Sequence, residues 1–399
     1  MKKILLFWGY VVILTQQFSV SMPLFDVVLG GYTIKYLLYY FFIATAIGVW
    51  AMQIFLAKKI ALFDLPVILL IVMPIFVGLL YGWAWYDVIV EGFAFLMPLA
   101  VYAWCRVLKP DLNTCINIFC FTNIVGAIVS FLVATRVIET KYWAEAGNLV
   151  RAAGAVDSTM CIGGFCLCLL LLSYGRRSFS RRRIVLVMTT LFASLFSSLL
   201  GQSRTRIVIL FACVVAVILL SVYDLRMKNV FAIVLLLAMV GVVLMVVFRA
   251  QMNVLLLQIG ERFAQLSGNN EDINVAFRDY EAQKQLEFFA SNPIFGMGWG
   301  SRSTQSEMYV HNVYTALMMQ TGIIGLISYI CWVFRPVRHA LTDFFHHQRR
   351  VETLIIVFFS AILLILGFTN AGAVTAGGYF MLAIVFVSHE NLIQKERVS

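Results

Sequence analysis

The chain has 399 residues, of which 62% are hydrophobic and only 13% are charged. A soluble domain has about a quarter of its residues charged and about half apolar, so this composition excludes a soluble enzyme and a disordered protein. The mean hydropathy of +0.91 indicates a polytopic membrane protein. The net charge of +10 does not indicate a nucleic-acid partner, because an excess of lysine and arginine on the cytoplasmic side of the membrane accounts for it.

Twelve apolar runs are candidates for membrane spans, each of which needs about 20 residues with a range of about 17–25. We expect spans at 4–21, 36–57, 65–81, 88–105, 113–135, 156–175, 184–200, 207–223, 229–248, 309–334, 353–369 and 373–388. The predicted fold is therefore all-α, a polytopic membrane protein of about 12 transmembrane helices. We expect one transmembrane domain that covers residues 1–399.

The polar segments between these runs alternate in charge along the chain. Cytoplasmic segments carry an excess of lysine and arginine, so the more basic set identifies the cytoplasmic side and predicts that both termini are cytoplasmic. The residues of the basic set are Lys2, Lys3, Lys58, Lys59, Arg106, Lys109, Arg176, Arg177, Arg181, Arg182, Arg183, Arg226, Lys228, Arg335, Arg338, Arg349, Arg350, Lys395 and Arg397.

One segment on the predicted outer face, residues 249–308, is much longer than the other outer loops. At about sixty residues it is too long for a simple connection, and we expect short helices within it. Its predicted elements are an interfacial segment at 254–266, an amphipathic helix at 275–290 that Asn292-Pro293 ends, and the glycines Gly296, Gly298 and Gly300. We expect the three glycines to form flexible, exposed backbone.

His311 is the one histidine that the predicted topology places on the outer face, at the start of the tenth span. A helix N-terminus disfavours the protonated imidazole, and a neutral imidazole serves as a general base near neutral pH. The alternative is a structural or interfacial histidine. Thr315, Met318, Gly322 and Gly325 follow on the same helical face, and the glycines predict a groove against which another helix or a lipid chain packs.

Three arginines on the predicted outer face are candidates for binding an anion. Arg204 and Arg206 lie in a tight hairpin between the seventh and eighth spans, where each either holds a phosphate or is an anchor that snorkels to the interface. Arg278 aligns with Ala282 and Leu286 on the apolar face of the long-loop helix, so we expect it to point towards the membrane-embedded body. Its partner is then either a carboxylate of a neighbouring loop or a bound phosphate.

The sequence predicts neither a metal site nor a cofactor. The outer acids Glu271, Asp272, Asp279 and Glu281 lack the spacing of a calcium loop. The eight cysteines lie in or beside apolar runs, which argues against a thiolate metal site and a disulfide framework.

These motifs together resemble the O-antigen ligase and O-antigen polymerase superfamily of bacterial integral membrane glycosyltransferases, and most closely its ligases. The ligase signature is a histidine, then Asn, Ser or Gln, nine residues, a glycine, two residues, and Gly, Thr or Tyr. The matching residues are His311, Asn312, Gly322 and Gly325. The hairpin with Arg204 is similar to the family's first essential arginine site, and Arg278 followed by 292–296 is similar to the second.

The resemblance implies a C-type glycosyltransferase-like fold with a periplasmic active site in the bacterial inner membrane. It implies a glycan donor on undecaprenyl pyrophosphate, and an acceptor that is either the lipid A-core or a growing glycan. Arg204, Arg206 and Arg278 would bind the donor pyrophosphate, and the first and third would stabilise the leaving group. His311 would take the proton of the acceptor hydroxyl, with inversion at the anomeric carbon and without a metal.

Two other functions stay open from the sequence. A polymerase would join lipid-linked repeat units; the short separation between Arg278 and His311 leaves this open, whereas the short third outer loop at 138–155 argues against it. A transporter of lipid-linked glycans would have ionisable residues near the bilayer midplane and inverted repeats, whereas the notable charges here lie at the outer boundary. A membrane scaffold would leave the outer histidine and arginines unexplained.

Overall fold

The computed structural model describes most of the chain and leaves several segments out. The described residues are 2–16, 28–29, 32–57, 64–138, 144–146, 149–151, 158–175, 179–201, 203–224, 230–231, 233–235, 238–239, 249, 253, 257, 260, 273–301, 312–345, 350–368 and 375–398.

Twelve α-helices have both ends within these residues. They are α1 (Lys2–Gln16), α2 (Ile34–Ala57), α3 (Leu65–Leu80), α4 (Trp85–Leu108), α5 (Leu112–Ala134), α6 (Ser158–Leu170), α7 (Arg181–Leu200), α8 (Arg204–Tyr223), α9 (Ile273–Ser291), α10 (Val313–Phe345), α11 (Val351–Gly367) and α12 (Ala376–Val398). A single π-helical turn, Leu171–Gly175, extends α6.

The predicted all-α, polytopic membrane fold is confirmed. Within the described residues, six helices are long and apolar enough to cross a membrane, and four shorter apolar helices accompany them. Eleven of the predicted spans coincide with a helix of this bundle. The remaining predicted span, 229–248, lies mostly outside the described residues, as does the predicted interfacial segment at 254–266.

Within the described residues, two short pairs of antiparallel strands interrupt the helical pattern. One joins β1 (Val28–Leu29) to β2 (Tyr32–Thr33), and the other joins β3 (Ala144–Ala146) to β4 (Leu149–Arg151). The sequence analysis did not predict them, because strands of two or three residues are too short to show a period-two pattern.

Helices α4, α6 and α12 form the centre of the bundle. The stretch 381–384 of α12 is almost fully buried on every side, and so is 165–172 of α6. A helix that is apolar all round has this environment, whereas α2 is largely exposed along its length. The central position of α4 matters for the site described below, because α4 carries a buried acidic residue.

The bundle has two chemically different ends. At one end Tyr102 donates a hydrogen bond to Asp64, and Arg106 pairs with Glu390 at 3.0 Å. We call this the basic end, since it carries much of the lysine and arginine predicted to be cytoplasmic. The opposite end, here called the turn end, carries the turn at 81–84, the end of α7 at Gly201 and the starts of α4, α8 and α10.

Candidate active site

Helix α10 is broken in its first third, at Gly322. This residue has φ 61° and ψ −165°, a conformation that residues with a side chain rarely adopt. In a continuous helix the amides of Ile323 and Ile324 would donate to the carbonyls of Met319 and Gln320, four residues earlier. The break separates both pairs, so two donors and two acceptors lose their helical partners.

A neighbouring stretch of chain supplies all four missing hydrogen bonds. We call residues 292–301 the glycine segment; it follows α9 and lies in the break. The bonds are Ile323 N to Pro293 O (2.9 Å), Ile324 N to Ile294 O (3.4 Å), Met297 N to Met319 O (2.8 Å) and Gly298 N to Gln320 O (2.9 Å). Backbone groups at membrane depth must be satisfied by the protein itself, and this exchange meets that requirement.

The glycine segment also packs closely on α3 and α4. The backbones of Gly298 and Gly78 are so close that a Cβ on the first would overlap the second. Trp299 donates its amide to the carbonyl of Pro74 at 3.0 Å. The Trp299 ring is 1% exposed and lies on Gly92, where a Cβ would overlap it. The segment is therefore held between three helices.

The prediction of exposed backbone at Gly296, Gly298 and Gly300 is wrong. All three glycines are buried, with φ of +69°, +76° and +100°. Alternating glycines permit positive φ and close approach of other chains, and both are used here. The sequence pattern showed the conformational freedom of these residues but not the helices that surround them.

Glu91 of α4 is a buried acidic residue that the sequence analysis missed. It is 1% exposed, and its Oε2 accepts hydrogen bonds from the Gly300 amide at 2.8 Å and from the Gln320 side-chain amide at 3.2 Å. A usable signal was present, because Glu91 lies within the predicted span 88–105. An ionisable residue inside a span is a functional-site hypothesis by default.

Asn312 caps the start of α10. Its side-chain oxygen accepts from the amides of Tyr314 at 2.9 Å and Thr315 at 3.3 Å, which are the second and third residues of the helix. Asparagine is among the best residues for this position, so the second residue of the histidine signature has a structural explanation. His311 itself lies outside the described residues, and α10 begins two residues after it.

Helix α9 confirms that residues 275–290 are helical, and it packs on α10. Its buried face carries Glu281 and Gln285, which are 3% and 2% exposed. The hydroxyl of Thr315 donates to the side-chain oxygen of Gln285 and so joins α9 to the first turn of α10. This hydrogen bond joins α9, which lies in the predicted long loop, to α10, which carries the histidine signature.

Arg278 lies on a different face of α9 from the one that was predicted to be buried. It is exposed, and so is Leu286 on the same side. The prediction that Arg278 points towards the protein body is therefore wrong. Apolar residues on α9 suggested the buried face, but Glu281 and Gln285 are buried instead, and Gln285 accepts a hydrogen bond from Thr315 of α10.

The predicted hairpin with Arg204 and Arg206 is confirmed by the end of α7 at Leu200 and the start of α8 at Arg204. The side chain of Arg204 is not among those that the structure describes. Arg206 is 6% exposed, and its guanidinium lies against Gly201. Its buried Nε has no hydrogen-bond partner among the described residues. A buried N–H donor without a partner is costly, so this position suits an anion that binds from outside the chain and accepts from the guanidinium.

The predicted groove on α10 needs a correction. Gly322 and Gly325 are buried, but the break at Gly322 means that they do not lie on one straight helical face. The chain that packs against Gly322 is the backbone at Ile294 and Phe295, rather than another helix or a lipid. Gly325 packs against the Thr321 side chain one turn earlier.

Comparison with known families supports the resemblance seen in the sequence. Residues 189–330 match a family model described as O-antigen ligase. This part of the chain is therefore similar to the O-antigen ligase family. The O-antigen ligase match runs from α7 to the middle of α10 and includes the hairpin arginines, α9, the glycine segment and the histidine signature. No curated protein matches the chain.

The structure brings some of the predicted site residues of the O-antigen ligase region together, but not all of them. Asn312 and Gly322 lie on α10, against α9 and the glycine segment. Arg206 belongs to α8, which packs on α6 and α7 in the described part of the chain. Glu91 comes from α4, outside the matched residues, and contacts both the glycine segment and α10.

Proposed function

We propose that this protein is a glycosyltransferase of the O-antigen ligase type, which moves a glycan from undecaprenyl pyrophosphate to a sugar hydroxyl of the lipid A-core. The reaction takes place on the periplasmic side of the bacterial inner membrane, at the turn end of the bundle. Both termini are cytoplasmic in this proposal, and residues 249–308 form the large periplasmic loop. The family match supports the reaction class, a ligase-like or polymerase-like transfer.

Arg206 carries this proposal. Its guanidinium is buried in the first turn of α8, with Nε unpaired among the described residues. The start of a helix also presents free amide groups and a positive dipole end, which favour phosphate. Arginine binds phosphate oxygens with two parallel hydrogen bonds, so Arg206 suits the donor pyrophosphate.

Arg204 and Arg278 complete the donor site in the proposal. As the glycosidic bond to the pyrophosphate breaks, negative charge grows on the departing phosphate oxygen, and guanidinium groups stabilise it in the way that a divalent metal does in other enzymes. Arg278 is exposed on α9, where a large lipid-linked substrate can reach it. No metal and no other cofactor take part in the proposed reaction.

His311 is the proposed general base. It takes the proton of the acceptor hydroxyl while the oxygen bonds to the anomeric carbon and undecaprenyl pyrophosphate leaves from the opposite face. The anomeric configuration is therefore inverted. In the sequence His311 directly precedes Asn312, the cap residue of α10, and a helix N-terminus favours the neutral imidazole.

A transporter of lipid-linked glycans is less well supported. Broken membrane helices in transporters leave backbone groups free to bind ions or substrate. Here all four groups freed at Gly322 bond to the protein's own glycine segment. The break thus builds a rigid framework in place of an ion site.

A deletion strain tests the proposal and separates the ligase from the polymerase. Loss of a ligase leaves full-length polysaccharide on the carrier lipid and none on the lipid A-core. Loss of a polymerase leaves the core with a single repeat unit. A deletion strain whose surface polysaccharide is unchanged would contradict both functions.

A further inference from the structure

Three distant parts of the chain meet at the carboxylate of Glu91. Glu91 lies in the second turn of α4, and its Oε2 accepts from the Gly300 amide and from the Gln320 side chain. These two partners are 209 and 229 residues away along the chain. The neighbouring Gly92 seats the Trp299 ring, so the same turn of α4 holds the glycine segment by both shape and hydrogen bonds.

Packing alone does not explain an acid at this position. The burial of a carboxylate costs several kcal/mol even when hydrogen bonds compensate, and an apolar residue of similar size is often at least as stable. Two of the contacts that Glu91 makes are hydrogen bonds to particular groups of the glycine segment and α10. Gly300 lies at the end of the glycine segment, and Gln320 lies two residues before the break in α10.

We propose that Glu91 is a positioning residue for glycosyl transfer, which fixes the glycine segment in the break of α10. This inference rests on the proposed function. The glycine segment is continuous with α9, which bears Arg278, and α10 begins just after His311. Glu91 thereby sets the distance between the donor-binding and acceptor-activating parts of the site without touching either substrate. A displacement of about 1 Å in such a site costs about 10²-fold in rate.

The chemistry at Glu91 predicts which substitutions are tolerated. In Glu91→Leu both partners lose the carboxylate that accepts their hydrogen bonds, which is costly for buried donors. In Glu91→Gln the amide oxygen still accepts from Gly300, while the new amide group faces the donor of Gln320. Gln320 can rotate, because its own oxygen is buried with no partner among the described residues. Glu91→Gln is therefore expected to keep most of the activity.

The sharpest test exchanges the two side chains, and we call the double variant Glu91→Gln/Gln320→Glu the exchanged pair. Gln320→Glu alone opposes two carboxylates in a buried site, which is strongly unfavourable. The double variant Glu91→Gln/Gln320→Glu restores one carboxylate, an acceptor for Gly300 and a donor between the two side chains. Asp64→Asn is the matched control, because Asp64 is also buried and accepts one hydrogen bond, from Tyr102 at the basic end.

The experiment combines three measurements on the full-length protein in detergent or nanodiscs. Single-turnover transfer is measured with a lipid-linked glycan donor, donor affinity is measured separately, and amide hydrogen exchange is followed in the peptide that covers 293–301. We expect Glu91→Leu to slow transfer about 10²-fold, with donor affinity unchanged and faster exchange in this peptide. The exchanged pair should transfer much faster than Gln320→Glu, and Asp64→Asn should match the wild type.

Each other outcome decides the proposal as well. A folded Glu91→Leu protein with wild-type transfer overturns it, and so does an exchanged pair that is no faster than Gln320→Glu alone. Where Glu91→Leu does not fold, the exchanged pair carries the decision. Where the wild type itself transfers no glycan, the proposed function fails, and hydrogen exchange decides on Glu91: unchanged exchange at 293–301 in Glu91→Leu overturns its role, and faster exchange supports it.

Discussion

The backbone of Gly322 lies directly against the carbonyl of Ile294, at the point where α10 breaks. A side chain at position 322 would collide with this carbonyl and would also have to adopt a positive φ. The first glycine of the histidine signature thus has a local structural role. It lets a second piece of chain enter the helix and take over its hydrogen bonds.

Gly322→Ala should destabilise the protein, because the positive φ alone costs about 1–3 kcal/mol for a residue with a side chain. The overlap with Ile294 adds to this cost. The thermal unfolding midpoint in detergent measures the effect. Gly48→Ala in α2 is the matched control, since a Cβ there meets no atom within 4 Å. Equal midpoints for the two variants would show that the break tolerates a side chain.

Arg206→Gln should weaken donor binding without a loss of stability. The buried guanidinium stabilises the folded protein little while its Nε has no partner, so removal of the charge should leave the unfolding midpoint unchanged or raise it. Donor affinity should fall about 10- to 100-fold, the contribution of a hydrogen bond to a charged group. Titration of the variant with a lipid pyrophosphate measures this. A drop in stability with normal donor affinity would identify Arg206 as a structural residue.

Arg278→Ala should weaken both donor binding and turnover, because the phosphate that it meets is present before the reaction. Arg278→Lys should recover little, since an ammonium group cannot form the two-pronged contact. Lys284→Ala is the control on the same helix. Its ammonium pairs with Glu287 at 2.9 Å on the exposed surface, and its removal should leave donor affinity unchanged. Equal effects of the two alanine variants would point to general charge attraction.

His311→Ala should still bind the donor but transfer it about 10²- to 10⁴-fold more slowly, because only proton removal is lost. The wild-type rate should fall as the pH drops through neutrality, because the base becomes protonated, and this limb of the pH–rate profile should disappear in the variant. Asn312→Ser is the control next to it, since serine also caps helices and should preserve the start of α10. Near-normal single-turnover transfer by a well-inserted His311→Ala protein would leave the histidine without a catalytic role.

The turn end of the bundle should face the periplasm. In a background without the native cysteines, Glu287→Cys on α9 should react with a membrane-impermeant thiol reagent in cells with a permeabilised outer membrane. Phe179→Cys, beside the basic start of α7, should react only after the inner membrane is opened. The reverse labelling pattern would invert the topology and exclude a periplasmic active site.

The sequence alone was sufficient for those features that depend on neighbouring residues. Apolar runs of sufficient length predicted eleven of the helices in the bundle, because in a bilayer only a helix satisfies its own backbone within one segment. The hairpin before Arg206 and the end of α9 near Asn292 were also predicted, because each depends on residues that are close together in the sequence. The order of the arginine and histidine motifs was enough to indicate the family.

The tertiary structure decided how these pieces fit together. Gly322 breaks α10 only because the glycine segment is there to replace its hydrogen bonds. Gly298 and Trp299 of that segment are buried only because Gly78 and Gly92 leave room for them. Arg278 lies on the exposed face of α9 because Thr315 bonds to Gln285 on the other face. Glu91 and Gly300 meet across 209 residues, and no local pattern in a sequence encodes a contact between residues so far apart.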